Sequence, residues 1–198
     1  KIKELVRKGR NSQLKINDYS QDKIDEIITA VAWEIIKPEN NKMLSEMAVQ
    51  DTGLGKVDDK ILKNTRKTIG LLRDLKNVKT VGIIKKDVKK GLTYIARPVG
   101  LVAAMTPATN PIATPLNNII NALKCKNSII ISPSPKGARV CAKIVKLVHK
   151  ALRRVGAPIS IVQSISPLSK MSDTLELFSL VDLVIATGPL LQSLNLLN

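Results

Sequence analysis

The sequence predicts an α/β protein in which a parallel sheet with helices on both faces follows an N-terminal helical layer. Two patterns support this prediction. Apolar residues recur at helical spacing through residues 1–78, whereas short strand-like runs alternate with helical stretches after Pro98. Parallel strands need crossover connections, so the second pattern is typical of a doubly wound, Rossmann-like sheet. With 198 residues, 44% of them hydrophobic, the chain is long enough to enclose one sizeable core.

Three helices are predicted within residues 1–78. Ser20 is a favourable N-cap, and the helix that it begins should run until Pro38, burying one face made of Ile24, Ile27, Ile28, Val31 and Ile35. A second helix is predicted over residues 40–52, with Gly53 as its C-cap. A third is predicted over residues 56–76, with an apolar side made of Ile61, Leu62, Thr65, Ile69 and Leu72. No catalytic combination of residues is evident in this segment.

Residues 79–97 change to a strand-like pattern. The runs "TVGIIKK" and "LTYIARP" are separated by the basic turn "DVKKG", which predicts a β-hairpin or a pair of extended arms. Such an arm often pairs with another subunit, and on this interpretation the protein forms a homo-oligomer through residues 79–97. An ordinary edge of the local sheet is the alternative.

Residues 98–198 read as part of a nucleotide-binding α/β domain. The predicted strands are "VGLVAAM", "NSIIIS", "SIVQSI" and "VDLVIATG", and the helices between them are "NPIATPLNNIINALKC", "KGARVCAKIVKLVHKALRRVG" and "SKMSDTLELFS". Ligands of such sheets bind at the carboxyl ends of the strands, near helix N-termini. The polar loops "TPATNP", "SPSP" and "ATG" follow three of these strands, so a nucleotide-sized site is predicted there. The dinucleotide fingerprint GxGxxG does not follow the first strand.

Composition narrows the classes of partner. The formal net charge is +16, yet the basic residues are scattered and aromatic residues make up only 2%, which disfavours nucleic-acid binding. No apolar run reaches the length of about 20 residues that a membrane span requires, so we expect no membrane partner and a cytoplasmic protein. Cys125 and Cys141 do not have the spacing of metal ligands, so no metal site is predicted. Both are predicted to be small core residues.

A longer stretch resembles a known family. The run "ARPVGLVAAMTPATNPIATPLNNIINALKCKNSIIISPSPKGARVCAKIVKLVHKALRRVGAP" is similar to the CoA-acylating branch of the aldehyde dehydrogenase superfamily. A PxGV-like strand, a TPxTNP loop, a helix ending in (A/S)LK and an (S/A)PxP loop occur in order. The resemblance covers essentially the whole chain. The stretch "DTGLGKVDDKILKNTRKTIGLLRDLKNVKTVGII" looks most like sulfoacetaldehyde dehydrogenases, followed by succinate-semialdehyde dehydrogenases.

The resemblance implies an oxidoreductase that converts an aldehyde and coenzyme A into an acyl-CoA with NAD or NADP as cofactor. In that chemistry a cysteine thiolate attacks the aldehyde, and hydride passes to the nicotinamide. Asn110 matches the oxyanion-binding amide of the family, and Thr106, Pro107 and Thr109 belong to the same loop. Asn110 could instead be a helix N-cap, with Pro111 at the first helical position, and Thr114 followed by Pro115 offers a competing helix start.

Two further loops match nucleotide-facing positions of the family. The loop Ser132, Pro133, Ser134 and Pro135 corresponds to the position that faces the adenosine part of the cofactor, with the two hydroxyls available for ribose or phosphate. Many acylating members carry His where this chain has Ser134. A strand-to-helix turn with Ser caps is the alternative. Thr187 and Gly188 match the third loop, after which Pro189 and the tail depart from the family pattern.

The nucleophile of the family is not identified in this sequence. The resemblance places it in a separate catalytic domain, whereas Cys125 ends one predicted helix and Cys141 lies within the next. His149 lies among lysines and reads as a surface residue. The chain is therefore expected to be a truncated form that is inactive alone. The alternatives are a non-catalytic nucleotide-binding remnant or subunit and a basic nucleic-acid-binding protein.

Overall fold

The computed structural model of the chain describes residues 1–166 and 168–188. Four helices come first, a hairpin follows, and strands then alternate with helices. The elements are α1 Ile2–Lys15, α2 Gln21–Ile36, α3 Pro38–Thr52, α4 Val57–Leu75, β1 Gly82–Asp87, β2 Leu92–Ala96, β3 Leu101–Thr106, α5 Ala113–Lys124, β4 Ser128–Pro133, α6 Ala138–Arg154, β5 Val162–Ser164, α7 Met171–Ser179 and β6 Leu183–Ala186. The expected departure from the family pattern at Pro189 lies outside the described residues.

Local signals determine where most of the N-terminal helices begin and end. The Ser20 hydroxyl accepts a hydrogen bond from the Lys23 amide at 3.2 Å, as an N-cap does. Gly53 ends α3 with φ +67°, a left-handed conformation that costs glycine little. Pro38 does not simply end α2: it occupies the first turn of α3, where its missing N–H is not needed. The second predicted helix therefore begins two residues earlier than expected.

In the described part of the chain, the central sheet has four parallel strands in the order β5-β4-β3-β6. The chain adds β4 and β5 on one side of β3 and then crosses to place β6 on the other side. The order therefore reverses between β3 and β6, which creates a topological switch point of the kind where doubly wound sheets bind ligands. The predicted Rossmann-like architecture is confirmed.

Both faces of this sheet are covered by helices. Val102, Ala104, Ile129 and Ile131 point to the larger core, which α2, α3, α5 and α6 complete. The alternate residues Leu101, Ala103 and Ile130 point to a smaller core with α1 and α7. The N-terminal helices are thus divided between the two faces of the sheet. Among the described residues, no helix is both long and apolar enough to cross a membrane.

Helix α4 buries a different side from the one predicted. Leu62 and Ile69 are about half exposed, at 51% and 53%, whereas Lys60, Asn64 and Thr68 are buried. A polar contact with α3 explains this orientation: Asn64 Nδ2 donates to Asn41 Oδ1 at 3.0 Å and to Ser45 Oγ at 3.3 Å. Buried amides retain their position only when hydrogen-bonded, so this pairing outweighs the apolar periodicity.

The strands β1 and β2 form a separate antiparallel hairpin. Within residues 1–166 and 168–188, neither strand pairs with the central sheet, so the interpretation as an ordinary edge of that sheet is wrong. Large apolar side chains remain exposed along the hairpin, at Ile83, Ile84, Leu92, Tyr94 and Ile95.

The amino-terminal end of β3 is attached to the start of β6 and to α1. The Asp182 carboxylate accepts a hydrogen bond from the Leu101 amide at 2.7 Å and from the Arg10 guanidinium at 2.8 and 3.0 Å. Burial favours a higher pKa for Asp182, but the hydrogen bonds from Arg10 and Leu101 outweigh it and lower the pKa. Gly100, with φ +125°, lies directly against this carboxylate.

Candidate functional site

A cavity of about 300 Å³ opens at the carboxyl ends of β3, β4 and β6. It therefore lies at the switch point of the sheet, at the lower end of the roughly 300–1,000 Å³ typical of ligand pockets. Nine of the ten residues singled out in the sequence line it, namely Thr106, Pro107, Thr109, Ser132, Pro133, Ser134, Pro135, Thr187 and Gly188. The tenth, Asn110, does not.

Backbone hydrogen bonds hold the three loops beside one another. The Ser134 amide donates to the Thr106 carbonyl at 2.9 Å, and the Thr187 amide donates to the Met105 carbonyl at 3.2 Å. Gly188 adopts φ +139° and approaches Pro107, so a Cβ added at Gly188 would lie 3.5 Å from that proline. The strand ends therefore bring together loops that are about 80 residues apart in sequence.

The two serines of the "SPSP" loop differ in their surroundings. Ser132 Oγ lies 2.8 Å from Thr174 Oγ1 of α7, and both side chains are buried. Ser134 Oγ is buried and has no hydrogen-bond partner in the described part of the chain. A buried hydroxyl without a partner costs free energy, so Ser134 is the one that is prepared to bind a ligand.

Sequence reasoning missed the loop after β5. Ser166, Ser169, Lys170 and Met171 also line the cavity, and Ser169 Oγ is a second buried hydroxyl without a partner among the described residues. A signal was available: "SPLS" comes at the end of this strand much as "SPSP" comes at the end of β4. Thr174 carried no such signal, because only the packing of α7 brings it to Ser132.

Asn110 lines a second cavity of about 240 Å³, between α4 and α5. Its Oδ1 accepts a hydrogen bond from Lys63 Nζ at 2.6 Å. A lysine ammonium can only donate, so the contact leaves the Nδ2 hydrogens of Asn110 available to a ligand. Thr187 lines both cavities and thus connects Asn110 with the other predicted site residues.

Neither predicted start of α5 is correct. The helix begins at Ala113 with Ile112 at the N-cap, so Asn110 is not its side-chain cap, and Pro115 lies inside the first turn. Asn110 takes part only through its carbonyl, which accepts from the Thr114 amide at 3.3 Å. The helix-cap interpretation therefore does not explain the Asn110 side chain.

The two cysteines and the histidine do not face these cavities. Cys141 is fully buried in the core beside β4, and burial raises the pKa of its thiol to about 12. Cys125 follows α5 at the amino-terminal end of the sheet and is exposed, so the expectation that it is a core residue is wrong, whereas Cys141 meets that expectation. Partial desolvation of the Cys125 thiol still raises its pKa. His149 is not a free surface residue as expected, because its Nε2 lies 2.7 Å from the Val162 carbonyl of β5. An activated cysteine needs a lowered pKa, so neither thiol has the properties of a nucleophile.

These features define a class: an α/β protein of the Rossmann-like type with a ligand cavity at the switch point of its sheet. The profile of the Aldehyde dehydrogenase family matches residues 1–190, and the chain belongs to that family. The resemblance identified in the sequence motifs is therefore confirmed.

Individual relatives agree with this assignment. The chain is 51% identical over 188 residues to sulfoacetaldehyde dehydrogenase (acylating) from Cupriavidus necator, covering 94% of this chain and 38% of the relative. It is 39% identical over 187 residues to succinate-semialdehyde dehydrogenase (acetylating) from Clostridium kluyveri, covering 94% of this chain and 41% of the relative. The chain thus spans about two fifths of the length of each of these two relatives.

Solved structures give the same result. An acetylating aldehyde dehydrogenase from Geobacillus thermoglucosidasius superposes with a TM-score of 0.90 at 32% identity, covering 97% of this chain and 43% of the other. Propionaldehyde dehydrogenase from Rhodopseudomonas palustris with bound CoA superposes with a TM-score of 0.78 at 25% identity, covering 96% of this chain and 43% of the other. An engineered glycolyl-CoA reductase with bound NADP+ superposes with a TM-score of 0.80 at 25% identity, covering 99% of this chain and 44% of the other.

Proposed function

We propose that this chain is the cofactor-binding part of a CoA-acylating aldehyde dehydrogenase that uses NAD or NADP. The observation that carries the proposal is the convergence of three loops, distant in sequence, on one cavity at the switch point of the sheet. Family membership and the relatives with bound NADP+ and bound CoA support it. Under this proposal residues 1–78 form a helical segment, 79–97 an arm, and 98–198 part of the nucleotide-binding domain.

The cavity residues would hold the adenosine end of the cofactor. Ser134 and Ser169 offer two buried hydroxyls without partners among the described residues, and both could hydrogen-bond ribose or phosphate oxygens. Pro133 and Pro135 stiffen the loop and present no N–H that would compete for these hydroxyls. The N-terminus of α6 starts behind this loop and favours negative charge there. When bound, the nicotinamide supplies the hydride acceptor.

Asn110 would act on the aldehyde itself. Its amide hydrogens are free to donate to the carbonyl oxygen as negative charge develops there, while Lys63 holds the amide oxygen. The adjacent ammonium polarises the carboxamide and strengthens its N–H groups as donors. Asn110 is therefore proposed as the oxyanion donor and Lys63 as the residue that positions it.

The substrate proposed first is sulfoacetaldehyde, with succinate semialdehyde second. The order follows the similarity of the relatives, at 51% and 39% identity. Both aldehydes are short and carry an anionic group at the far end.

The hairpin is proposed as an oligomerisation arm that joins copies of this chain. Its large apolar side chains on both strands are about half exposed, and its strands are paired only with each other in the part of the chain that the structure describes. An exposed two-stranded hairpin of this kind is stabilised when another surface covers it.

The cavity assignment predicts that Ala108→Trp strongly weakens dinucleotide binding. Ala108 lines the cavity, and an indole there would occupy much of its volume. Titration of NAD+, NADP+ and CoA by calorimetry should give saturable binding to the wild-type chain and at least about tenfold weaker binding to the variant. Val88→Trp, at a hairpin turn position that is 89% exposed, is the control and should bind normally.

A DNA duplex titrated at two salt concentrations tests the rival function. Nucleotide binding that tolerates salt supports the proposal. Contacts to DNA phosphates release counterions, so DNA binding of this kind weakens steeply with salt. Such binding, together with no nucleotide binding, would reject the proposed function.

The 198-residue chain alone is predicted to form no NADH from an aldehyde and CoA. The thiol pKa values of Cys125 and Cys141 are both raised, so neither supplies a thiolate near neutral pH. Absorbance at the NADH band measures this directly. Turnover that disappears in Cys125→Ala or Cys141→Ala would show that one of these cysteines is the nucleophile.

A further inference from the structure

A third cavity, of about 260 Å³, lies beside the first half of α4 and touches the candidate site at Thr109. It is unusual in its charge, because three lysines and a single acidic residue line it and leave two positive charges in excess. Its lining residues are Leu54, Gly55, Lys56, Asp59, Lys60, Lys63 and Thr109.

Lys60 is the central feature of this cavity. The residue is only 5% exposed, and no hydrogen bond or ion pair holds its ammonium within residues 1–166 and 168–188. The ammonium lies under the Gly55 turn, where a Cβ added at Gly55 would be 3.7 Å from Lys60 Nζ. Burial, together with the charge of Lys63, lowers the pKa of Lys60. Asp59 lines the same cavity but forms no ion pair with Lys60 among the described residues, so an anion bound in the cavity would relieve the cost of burying this lysine.

Lys63 connects the cavity to Asn110. Its ammonium lines the cavity and also donates to Asn110 Oδ1 at 2.6 Å. Lys60 and Lys63 are spaced as i and i+3 and are therefore neighbours on α4, and Lys56 is the N-cap residue of the same helix. All three line the cavity together with Thr109 of the β3–α5 loop. A ligand that reached Asn110 with one end would therefore meet positive charge with the other.

We propose that this cavity binds the sulfonate or carboxylate of a short anionic aldehyde whose carbonyl oxygen lies at Asn110, with Lys60 as its main partner. The proposal rests on the proposed function and specifies its substrate class. The cavity is small, and of the predicted site residues only Thr109 reaches it, whereas the loops assigned to the adenosine end line the separate cavity of about 300 Å³. Phosphate groups of NAD(P) or CoA share the same oxyanion chemistry and are the competing source.

The test uses sulfoacetate as the probe and ethyl methyl sulfone as its uncharged counterpart. In an NMR titration at about 0.15 M salt, where exposed charges are screened, sulfoacetate should saturate and shift the amides near Lys60, Lys63 and Thr109. The sulfone should not bind. Lys60→Met keeps the apolar stem and removes the charge, so it should weaken sulfoacetate binding by about tenfold or more.

Two further variants serve as controls. Lys86→Met removes an exposed charge from β1 and should leave binding within about twofold, which separates a specific site from attraction by the +16 net charge. Lys60→Arg retains the charge and should retain part of the affinity. Lys60→Met should be as stable as the wild type or more so, because it removes a buried charge, and the melting temperature verifies this.

Three outcomes would overturn the inference. Sulfoacetate binding that is unchanged in Lys60→Met would remove Lys60 from any anion site. Equal binding of sulfoacetate and sulfone would show that charge is not recognised. NAD+ or CoA shifting the same amides, with loss of affinity in Lys60→Met, would assign the cavity to the cofactor. Failure of dinucleotide binding with intact sulfoacetate binding would instead reject only the proposed cofactor site.

Discussion

Asn110→Ala is expected to lower kcat by about 10² to 10³ while leaving KM nearly unchanged, because an oxyanion donor acts mainly in the transition state. The measurement requires a protein that contains a nucleophilic cysteine. A chimera in which this chain replaces the matching 38% of the Cupriavidus necator relative would provide one. CoA-dependent NADH formation from sulfoacetaldehyde is the readout.

Lys63→Met should reproduce part of this loss. Without the ammonium, the Asn110 amide is free to rotate, so its donor is less well positioned. Asn121→Ala is the matched control, because this asparagine is exposed on α5 and bonds only to Asn117 among the described residues. If Asn110→Ala instead lowered the melting temperature and left kcat unchanged, the residue would have a structural role and the assignment as oxyanion donor would be wrong.

Gly100→Ala is expected to reduce the free energy of unfolding by about 2–3 kcal/mol, mainly through backbone strain, with a smaller part from displacing the partly exposed Asp182 carboxylate from its hydrogen bonds. A Cβ at Gly100 would lie 2.4 Å from Asp182 Oδ2, and the φ of +125° is unfavourable for any L side chain. The displaced carboxylate would lose its hydrogen bonds to Leu101 and Arg10. Urea denaturation followed by circular dichroism measures the change.

The loss of unfolding free energy caused by Gly100→Ala should depend on pH. The pKa of Asp182 is lowered in the folded protein, so its stabilising effect is present above the ordinary pKa range of a free aspartate. The effect is lost as the pH falls through the lowered folded-state value. The difference between wild type and Gly100→Ala should therefore shrink in acid, and the steric part should remain.

Gly70→Ala provides the control for this experiment. Gly70 lies in α4 with an ordinary φ, and no atom lies within 4 Å of an added Cβ. Gly70→Ala should raise the free energy of unfolding by about 0.5–1 kcal/mol, because alanine loses less backbone entropy than glycine in a helix. Equal effects at Gly70 and Gly100 would contradict the proposed contact between Gly100 and Asp182.

The fold was largely predictable, because its signals are local. The alternation after Pro98, the Ser20 cap and the Gly53 cap are each contained within a few neighbouring residues. The loops at the strand ends were predictable for the same reason, since parallel strands place their carboxyl ends on one edge. The buried face of α4 was not predictable from periodicity, because an amide contact with α3 outweighs two apolar side chains.

By itself, the sequence determined the order of helices and strands and which polar loops follow which strands. The tertiary structure alone decided how these parts meet. Lys63 and Asn110 are 47 residues apart, Ser132 and Thr174 are 42 apart, and Arg10 and Asp182 are 172 apart. Such contacts depend on how whole elements pack, which local periodicity does not encode. For that reason, only the folded structure identifies the cavity lined by Lys56, Lys60 and Lys63 as a candidate anion site.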